Sequence, residues 1–351
     1  MAENTFFGEI HKELDAKMVP CGKWNMPLFY PGGSVAEHRH CCSGASVFDR
    51  SMVRCFQISG KNCAAVLDGY FLRPVSDMPV GSCRENALLY EHGTVSVIFT
   101  LCRMQEDDFM LLVQSGTPDK ESDHLISVVS GTLTIRELSE VMAQLAVLGS
   151  KSAEILQNAG AETLPEKGCW QSVTLKDDEG DEFRCIVIHG ERSGMDIFHL
   201  CFNAQYALEV YGAIYGVPGV APAGLAAWES LRIESGEATA PNEVRSDFLP
   251  AECGVGNWGD MSREFTGKAA LAGAEIRFVL HRLKLDRHPA LPGAVVKLPG
   301  GIAAGVVTSS AFCPVAGGAL AICRMDKECA VKSGDTVICP VNGKEVSGTI
   351  L

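Results

Sequence analysis

Long apolar runs and an excess of positive charge are both absent from this sequence. No stretch of about 18 or more consecutive apolar residues occurs, so we predict no transmembrane helix. The polar, acidic start differs from the basic and then apolar pattern of a signal peptide, and we expect a cytoplasmic protein. The 43 acidic and 30 basic residues give a formal net charge of -13. Such a chain repels phosphate groups, so we expect neither nucleic acid nor a membrane as a partner.

Paired cysteine motifs are also missing. The 15 cysteines are irregularly spaced and never form a Cys-x-x-Cys pattern, so a zinc ribbon or a redox dithiol has no support. In a chain without an export signal, cysteines stay reduced and often serve as small apolar residues. We therefore predict that many of them are free and buried.

Strands and helices are mixed through most of the chain. Its 351 residues are enough for two or three domains. Apolar runs at 95–102 and 109–113 flank the polar segment 105–108, which predicts a hairpin. The other predicted elements are strands at 54–60 and 184–188, and helices at 61–71, 138–149, 152–159 with Ser152 as N-cap, 203–212 and 224–236.

Residues 276–351 have a different character, because short strand-like runs alternate there with Gly, Pro and Asp turns. Several short strands at this spacing predict a small barrel or jelly-roll. The runs are 277–282, 294–297, 305–308, 319–324, 336–339 and 346–350.

The segment from Gly224 to Gly236 is the most informative motif. It closely resembles the pattern Gly-Leu-x-Ala-Arg-Asp-x-Leu-Arg-Leu-Glu-x-Gly of the glycine cleavage T-protein family, the folate-dependent aminomethyltransferases. Trp228 replaces the first arginine of that pattern, and Glu229 replaces the aspartate. Further segments resemble family motifs in the same order, at residues 18–27, 44–49, 264–271 and 305–314. The chain is thus identified as a divergent member over nearly its whole length.

The resemblance implies an α+β fold with the T-protein-like three-domain arrangement around a central opening. We expect a discontinuous first α+β domain from residues 1–50 and about 140–240, and a second α+β domain from about 51–139. A C-terminal small β-barrel or jelly-roll would occupy about 275–351.

The resemblance also implies a tetrahydrofolate site in this opening, beside a buried carboxylate that assists transfer of carbon between nitrogens. The family pattern Gly-Gly-x-x-Asp-Asp-Leu aligns with residues 92–98, so its aspartates fall on Ser96 and Val97. Residues 93–102 contain no acidic side chain, and a shift of the alignment does not supply one. The catalytic residue is therefore left open.

Five other positions complete the expected cofactor site next to Ser96. The family glutamate falls on Met195, with Asp196 surviving beside it, and a family asparagine falls on Gln114. Trp228 brings an aromatic face, while Arg232 keeps the second arginine of the signature. Each lost buried hydrogen-bond partner typically costs about 1–3 kcal/mol. We therefore expect weaker folate binding unless other groups compensate.

Two further patterns admit a functional interpretation and a plainer one. Glu37 and Cys41 lie one turn apart on a predicted helix, where a shared metal ion is conceivable, but the family has a packing helix here. His199 and Cys201 alternate along a predicted strand, and such residues are more often packed than catalytic. We interpret both pairs as packing and predict no metal site.

Two functions are consistent with these residues. The first is a one-carbon transferase that moves an aminomethyl or methyl group with tetrahydrofolate, outside ordinary glycine cleavage. Its donor would be a small molecule or a lipoyl carrier protein. The second is a non-catalytic or re-purposed T-protein-like binding protein whose pocket has lost the usual carboxylate and folate anchors. We favour the transferase slightly.

Overall fold

The computed structural model describes residues 2–351, and its strands form three sheets and a closed barrel. The strands are β1 (Glu3–Asn4), β2 (Lys17–Cys21), β3 (Trp24–Phe29), β4 (Ala45–Asp49), β5 (Cys55–Ser59), β6 (Cys83–Leu89), β7 (Val95–Gln105), β8 (Asp108–Val113), β9 (Thr134–Glu137), β10 (Met142–Leu148), β11 (Trp170–Lys176), β12 (Glu182–Arg192), β13 (Met195–Asn203), β14 (Val220–Pro222), β15 (Phe278–Leu285), β16 (Val295–Lys297), β17 (Ala303–Cys313), β18 (Gly318–Asp326), β19 (Thr336–Val341) and β20 (Lys344–Ile350).

The helices are short and pack on the outside of the sheets or between them. They are α1 (Gly8–Glu13), α2 (Ser34–Ser43), α3 (Cys63–Asp68), α4 (Asp119–Ser130), α5 (Ser152–Asn158), α6 (Ala207–Tyr215), α7 (Leu225–Ser235) and α8 (Lys268–Ala272). Across residues 2–351, no helix has both the length and the apolar character needed to cross a membrane.

A six-stranded sheet has the order β11-β12-β13-β10-β4-β14. It is antiparallel except where β14 runs parallel to β4. Side chains alternate along β10, so Leu145 and Val147 face a core that includes Leu156 of α5, while Ala146 and Leu148 face Trp228 of α7. The central strand is thus buried on both faces, between α5 and α7.

A five-stranded sheet has the order β6-β7-β8-β5-β9, and β7 and β8 form the predicted hairpin. On one face, Val97 and Phe99 pack in a core with Leu125 of α4. On the other face, Ile98 packs in a core with Phe248, from the segment that follows α7. The domain limits expected from the sequence stay a prediction, since sheets alone do not define domain boundaries.

The C-terminal barrel is confirmed. All six expected strand runs lie in β15 to β20, which close in the order β15-β18-β17-β16-β19-β20. Ile233 of α7 packs on the barrel surface beside Leu320 and Ile322 of β18. The signature helix therefore joins the barrel to the body.

Two local predictions from the sequence are wrong. Residues 138–149 favour helix by composition, but 142–148 form β10, because strands β4 and β13 pair with both of its edges. Neighbouring strands override intrinsic propensity in such a position. Ser152 is not an N-cap: it is the first residue of α5, and its hydroxyl donates to the carbonyl of Asp196 at 3.0 Å.

The cysteine prediction is confirmed. All 15 cysteines are free, and ten of them are buried. Burial raises the pKa of thiols such as Cys55 and Cys185 to about 12, so these groups stay protonated and apolar at neutral pH.

Glu37 holds the start of α7 against β3. Its buried carboxylate accepts hydrogen bonds from the backbone N–H groups of Tyr30, at 2.6 Å, and Gly224, at 3.0 Å. A Cβ on Gly224 would lie 2.4 Å from the carbonyl oxygen of Leu28, so only glycine permits this close approach. At the other end, Gly236 stops the helix with a φ of 77°.

We expect Gly224→Ala to destabilise the protein by about 1–3 kcal/mol, because the backbone of β3 must move away from α7. Gly212→Ala is the matched control, since a Cβ there has no neighbour within 4 Å and the site lies inside α6. That control should be neutral or slightly stabilising. Urea unfolding of both variants measures the difference, and equal stability would contradict the close-approach argument.

Arg232 links α7, the following segment and the barrel. It is 1% exposed, and its guanidinium donates to Glu229, to Glu243 at 3.1 Å and to the hydroxyl of Ser309 at 2.6 Å. Glu243 is fully buried and also accepts from Thr308 and Ser309 of β17. The second arginine of the signature therefore fastens three parts of the chain together.

Arg232→Met should destabilise the protein by about 3–5 kcal/mol, because it leaves the Glu243 carboxylate buried without its cation. Arg245→Met removes an ion pair with Asp247 in which both side chains are more than half exposed, and should change stability by less than about 1 kcal/mol. Chemical denaturation distinguishes the two. Similar small losses in both variants would show that the Arg232 network does not hold the barrel.

Candidate active site

A cavity of about 600 Å³ lies between the six-stranded and five-stranded sheets. Strands β6, β7 and β8 line one side, and β10, β12 and β13 line the other. Trp228 of α7 and the segment 235–239 close it from a third direction. This volume falls within the range of roughly 300–1,000 Å³ that is usual for sites of small molecules and cofactors.

The cavity wall carries charges of both signs, with one cation in excess. The cations are Arg50, Arg84, Lys167 and Arg192, and the carboxylates are Glu85, Glu191 and Glu237. Arg192 pairs with Glu237 at 2.7 Å, and Lys167 pairs with Glu191. Arg84 pairs at 2.9 Å with Asp77, which is not part of the lining.

Trp228 lies in the cavity wall between two guanidinium groups. Their central carbons are 3.6 Å (Arg50) and 3.9 Å (Arg192) from the centre of the indole ring. Contact distances keep such a carbon about 3.5 Å above a ring, so two carbons this close to one centre would overlap on the same face. Arg50 and Arg192 therefore stack on opposite faces of Trp228. Phe48 meets the ring edge-on, with ring centres 5.2 Å apart.

Glu85 brings a carboxylate into the cavity from β6. It lies directly opposite Thr100 of β7, which also lines the cavity, so both side chains project from the same face. Although the Glu85 side chain is exposed to the cavity, its enclosure between the sheets removes part of its hydration. This burial, and then repulsion from Glu237, raise the pKa of Glu85, whereas Arg192 and Arg73 lower it by less. Water in the cavity still reaches this side chain. A carboxylate of raised pKa in such a position is suited to proton transfer.

His199 also faces the cavity, from β13. Burial and the nearby charges of Arg50 and Arg192 lower its pKa to about 3. The imidazole is therefore neutral at physiological pH, when it can donate from one ring nitrogen and accept at the other. His199 thus lines the cavity, while Cys201 packs in an apolar cluster with Cys55 and Ile188.

Gln114 lies in the cavity wall, but its amide is already engaged. Its nitrogen donates to the carbonyl of Ala238 at 2.9 Å, and its oxygen accepts from the N–H of Ala240 at 3.2 Å. Gln114 therefore positions the segment that follows α7 along the edge of the cavity. Of the predicted cofactor residues, Gln114 and Trp228 are the two in the lining of this cavity, as judged over residues 2–351.

Ser96 and Val97 lie elsewhere. Val97 is 1% exposed within the core under α4, and the hydroxyl of Ser96 lies 2.8 Å from Nδ1 of His124 on that helix. Tyr90 stacks on the His124 ring and donates to Glu121. Neither position contributes a carboxylate: Ser96 makes a polar contact with α4, and Val97 packs in the core.

Met195 and Asp196 begin β13, just after the tight turn from β12. Met195 packs beside the cluster that contains Trp228. The Asp196 side chain is about half exposed, and its Oδ1 lies 2.9 Å from Nε2 of His189, which lines the cavity. Asp196 is thus one residue removed from the cavity, and its best-defined contact is His189.

Arg232 borders a second cavity, of about 550 Å³, between α7, the barrel and the N-terminal strands. Trp228 and Arg50 line both cavities and so form the wall between them. Because the polar atoms of Arg232 contact Glu229, Glu243 and Ser309, the structure gives this arginine a fastening role whether or not a ligand is present.

Sequence reasoning missed three residues of this site: Arg50, Glu85 and Arg192. Arg50 follows the recognised Phe-Asp motif directly, and Arg192 stands in the segment that aligns with a family motif. Glu85 is a charged residue just before an apolar strand run. Each of the three has polar neighbours in the sequence, so no local signal marks it, and only the folded sheets bring the three side chains together.

Comparisons with known proteins agree with this architecture. The family model of the GCVT N-terminal domain matches residues 7–262. An aminomethyltransferase of Deinococcus deserti is 30% identical over 318 residues, which cover 89% of this chain and 85% of that protein. A mitochondrial aminomethyltransferase of Dictyostelium discoideum is 26% identical and covers 99% of this chain and 91% of its own length.

A solved structure, that of the glycine cleavage system aminomethyltransferase T from Bartonella henselae, has the same fold. It superposes with a TM-score of 0.88 at 24% sequence identity and covers 100% of this chain and 97% of its own. The family model, the relatives and the shared fold together show that this chain belongs to the glycine cleavage T-protein, or aminomethyltransferase, family.

Proposed function

We propose that this protein is a one-carbon transferase that moves an aminomethyl or methyl group with tetrahydrofolate in the cavity between the sheets, outside ordinary glycine cleavage. Family membership supports the reaction class. The observation that carries the proposal is Glu85: the cavity contains a carboxylate of raised pKa although Ser96 and Val97 contribute none. We also propose that the protein is cytoplasmic, which is the location expected from the sequence.

Glu85 has the chemistry that carbon transfer to an amine requires. As a bond from carbon to nitrogen forms, the accepting nitrogen loses a proton, and the leaving atom of the donor gains one. A carboxylate with a raised pKa can take up the first proton and release it to the leaving atom. The neighbouring charge of Arg192 opposes this shift and favours the ionised form of the carboxyl group, which is the form that acts as the base.

The cavity also suits a folate-sized molecule. Its wall includes apolar residues such as Ile98, Leu112 and Ile188, which can enclose a planar ring. Arg50 and Arg192 belong to the same lining and bring guanidinium groups to the wall of the cavity. Bound tetrahydrofolate would supply the amine nitrogen that accepts the carbon. The donor, a small molecule or a lipoyl carrier protein, would meet it beside Glu85.

One observation favours a second function, that of a re-purposed binding protein. Trp228 with its two flanking guanidinium groups forms part of the cavity wall and is 7% exposed. If that stack excludes folate, the cavity would hold another ligand without transfer chemistry. Binding and turnover measurements separate the two functions.

Titration calorimetry with tetrahydrofolate and 5-formyltetrahydrofolate should give micromolar dissociation constants. The same ligands should raise the melting temperature, because they bind only the folded protein. No heat and no shift at millimolar ligand would remove folate from the proposal and leave the binding protein as the better function.

Glu85→Gln should keep folate binding but reduce carbon transfer by roughly 10²–10⁴-fold, since it removes the group that carries the proton. Single turnovers with aminomethyl, methoxy and methylthio donors measure the effect. Glu191→Gln is the matched control, because it changes a carboxylate of the same cavity that is paired with Lys167. Equal activity of Glu85→Gln and the wild type would refute the assigned role.

The same variant gives a prediction about pH and stability. Because the folded-state pKa of Glu85 lies above that of the unfolded chain, the folded protein binds this proton more tightly. Stability from this group is present below the ordinary glutamate pKa and is lost as pH rises through the folded-state value. Glu85→Gln should therefore unfold at higher urea concentration than the wild type at pH 7, and the difference should vanish at acid pH.

A further inference from the structure

Arg50 is a buried cation that lacks a carboxylate partner. It is 5% exposed, and no ion pair in the described part of the chain, residues 2–351, includes it. Its guanidinium donates to the hydroxyl of Ser115 at 3.1 Å and stacks on Trp228, while its Nε has no partner. Arg192, on the other face of the ring, has Glu237 but keeps two nitrogens unpartnered.

This arrangement is costly for the empty protein. Burying a charge without a counter-ion is strongly unfavourable, and stacking on an aromatic ring returns only part of that cost. Burial, and then repulsion from Arg192, lower the pKa of Arg50 to about 9, which still leaves it charged at neutral pH. A cation held in this state beside a cavity is available to an anion that enters.

The charges of the cavity indicate which anion would fit. Three of the four cations in the wall already have carboxylate partners, which leaves Arg50 as the one cation without an ion pair. A single negative charge would neutralise Arg50, whereas a phosphate dianion would bring a second negative charge toward Glu85 and Glu237. A carboxylate also matches the planar donor edge of a guanidinium, which can bind both of its oxygens.

We propose that the one-carbon donor is a carboxylic acid whose carboxylate binds Arg50, with Trp228 and Ser115 holding the guanidinium group in place. This inference rests on the proposed transferase function and adds the substrate class. The carboxylate would be anchored beside Trp228, and the transferable group would extend toward Glu85.

Two acid and amide pairs test the charge requirement: methoxyacetate against 2-methoxyacetamide, and 3-methoxybenzoate against 3-methoxybenzamide. The members of each pair are nearly equal in size and differ in charge. In calorimetry and thermal unfolding without folate, we expect each acid to bind at least tenfold more tightly than its amide. Equal affinities of acid and amide in the wild type would overturn the proposal without any variant.

Substitutions of single cations then show which residue causes the preference for the acids. Arg50→Met should remove the preference for the acids, and Arg50→Lys should restore part of it, while circular dichroism checks that both variants fold. Arg84→Met is the matched control, because it removes a cation of the same wall that is already paired with Asp77. A preference that survives in Arg50→Met, or is lost equally in Arg84→Met, would mean that general positive potential attracts the acids.

The failure of this inference can be told from the failure of the proposed function. Acids that bind to a protein that neither binds nor uses folate would leave the carboxylate site in place and refute the transferase. Folate binding without acid binding would support the transferase and refute the carboxylate site. Tetrahydrofolate also carries carboxylates, so its binding is compared with that of a tetrahydropterin that has none. If Arg50→Met weakens only the former, the carboxylate belongs to the folate tail and the assignment to the donor is wrong.

Discussion

The buried ion pair between Arg232 and Glu243 is the contact on which the arrangement of the whole molecule depends. It joins the end of α7 to the segment that follows and, through Ser309, to the barrel. That segment in turn supplies Glu237 and Thr239 to the cavity wall. Because an unpaired charge at this depth would be very unfavourable, the pair tolerates little relative movement of the three parts. The cavity is therefore shaped by a contact outside it.

Sequence patterns predicted the elements whose signals are local. The hairpin of β7 and β8, the helix that ends at Gly236 and the six barrel strands each follow from alternation, caps or turn residues within a short window. The failure at 138–149 has the opposite cause. Those residues suit a helix by themselves, and only pairing with β4 and β13 makes them a strand, which no local pattern records.

The site was less predictable because its charges converge from distant positions. Arg50, Glu85 and Arg192 belong to different strands or turns, and each is an ordinary polar residue in the sequence. Comparison with family motifs placed the expected carboxylate at Ser96 and Val97, which have none. It had no means of finding Glu85 on the adjacent strand, since the comparison proceeds position by position. It also identified Trp228 as a departure, but not the two arginines that enclose it.

The aromatic and charged residues of the cavity wall act on one another. The two faces of Trp228 in α7 are occupied by Arg50 and Arg192, which concentrate positive charge at this wall of the cavity. Burial, and then the charges of both arginines, lower the pKa of His199, while Arg192 favours the ionised form of Glu85. Glu237 neutralises only Arg192, so Arg50 remains an unpaired buried charge in the empty cavity. A bound anion would neutralise this charge and so stabilise the folded protein. The same residues that destabilise the unliganded protein thus favour the binding of a negatively charged ligand.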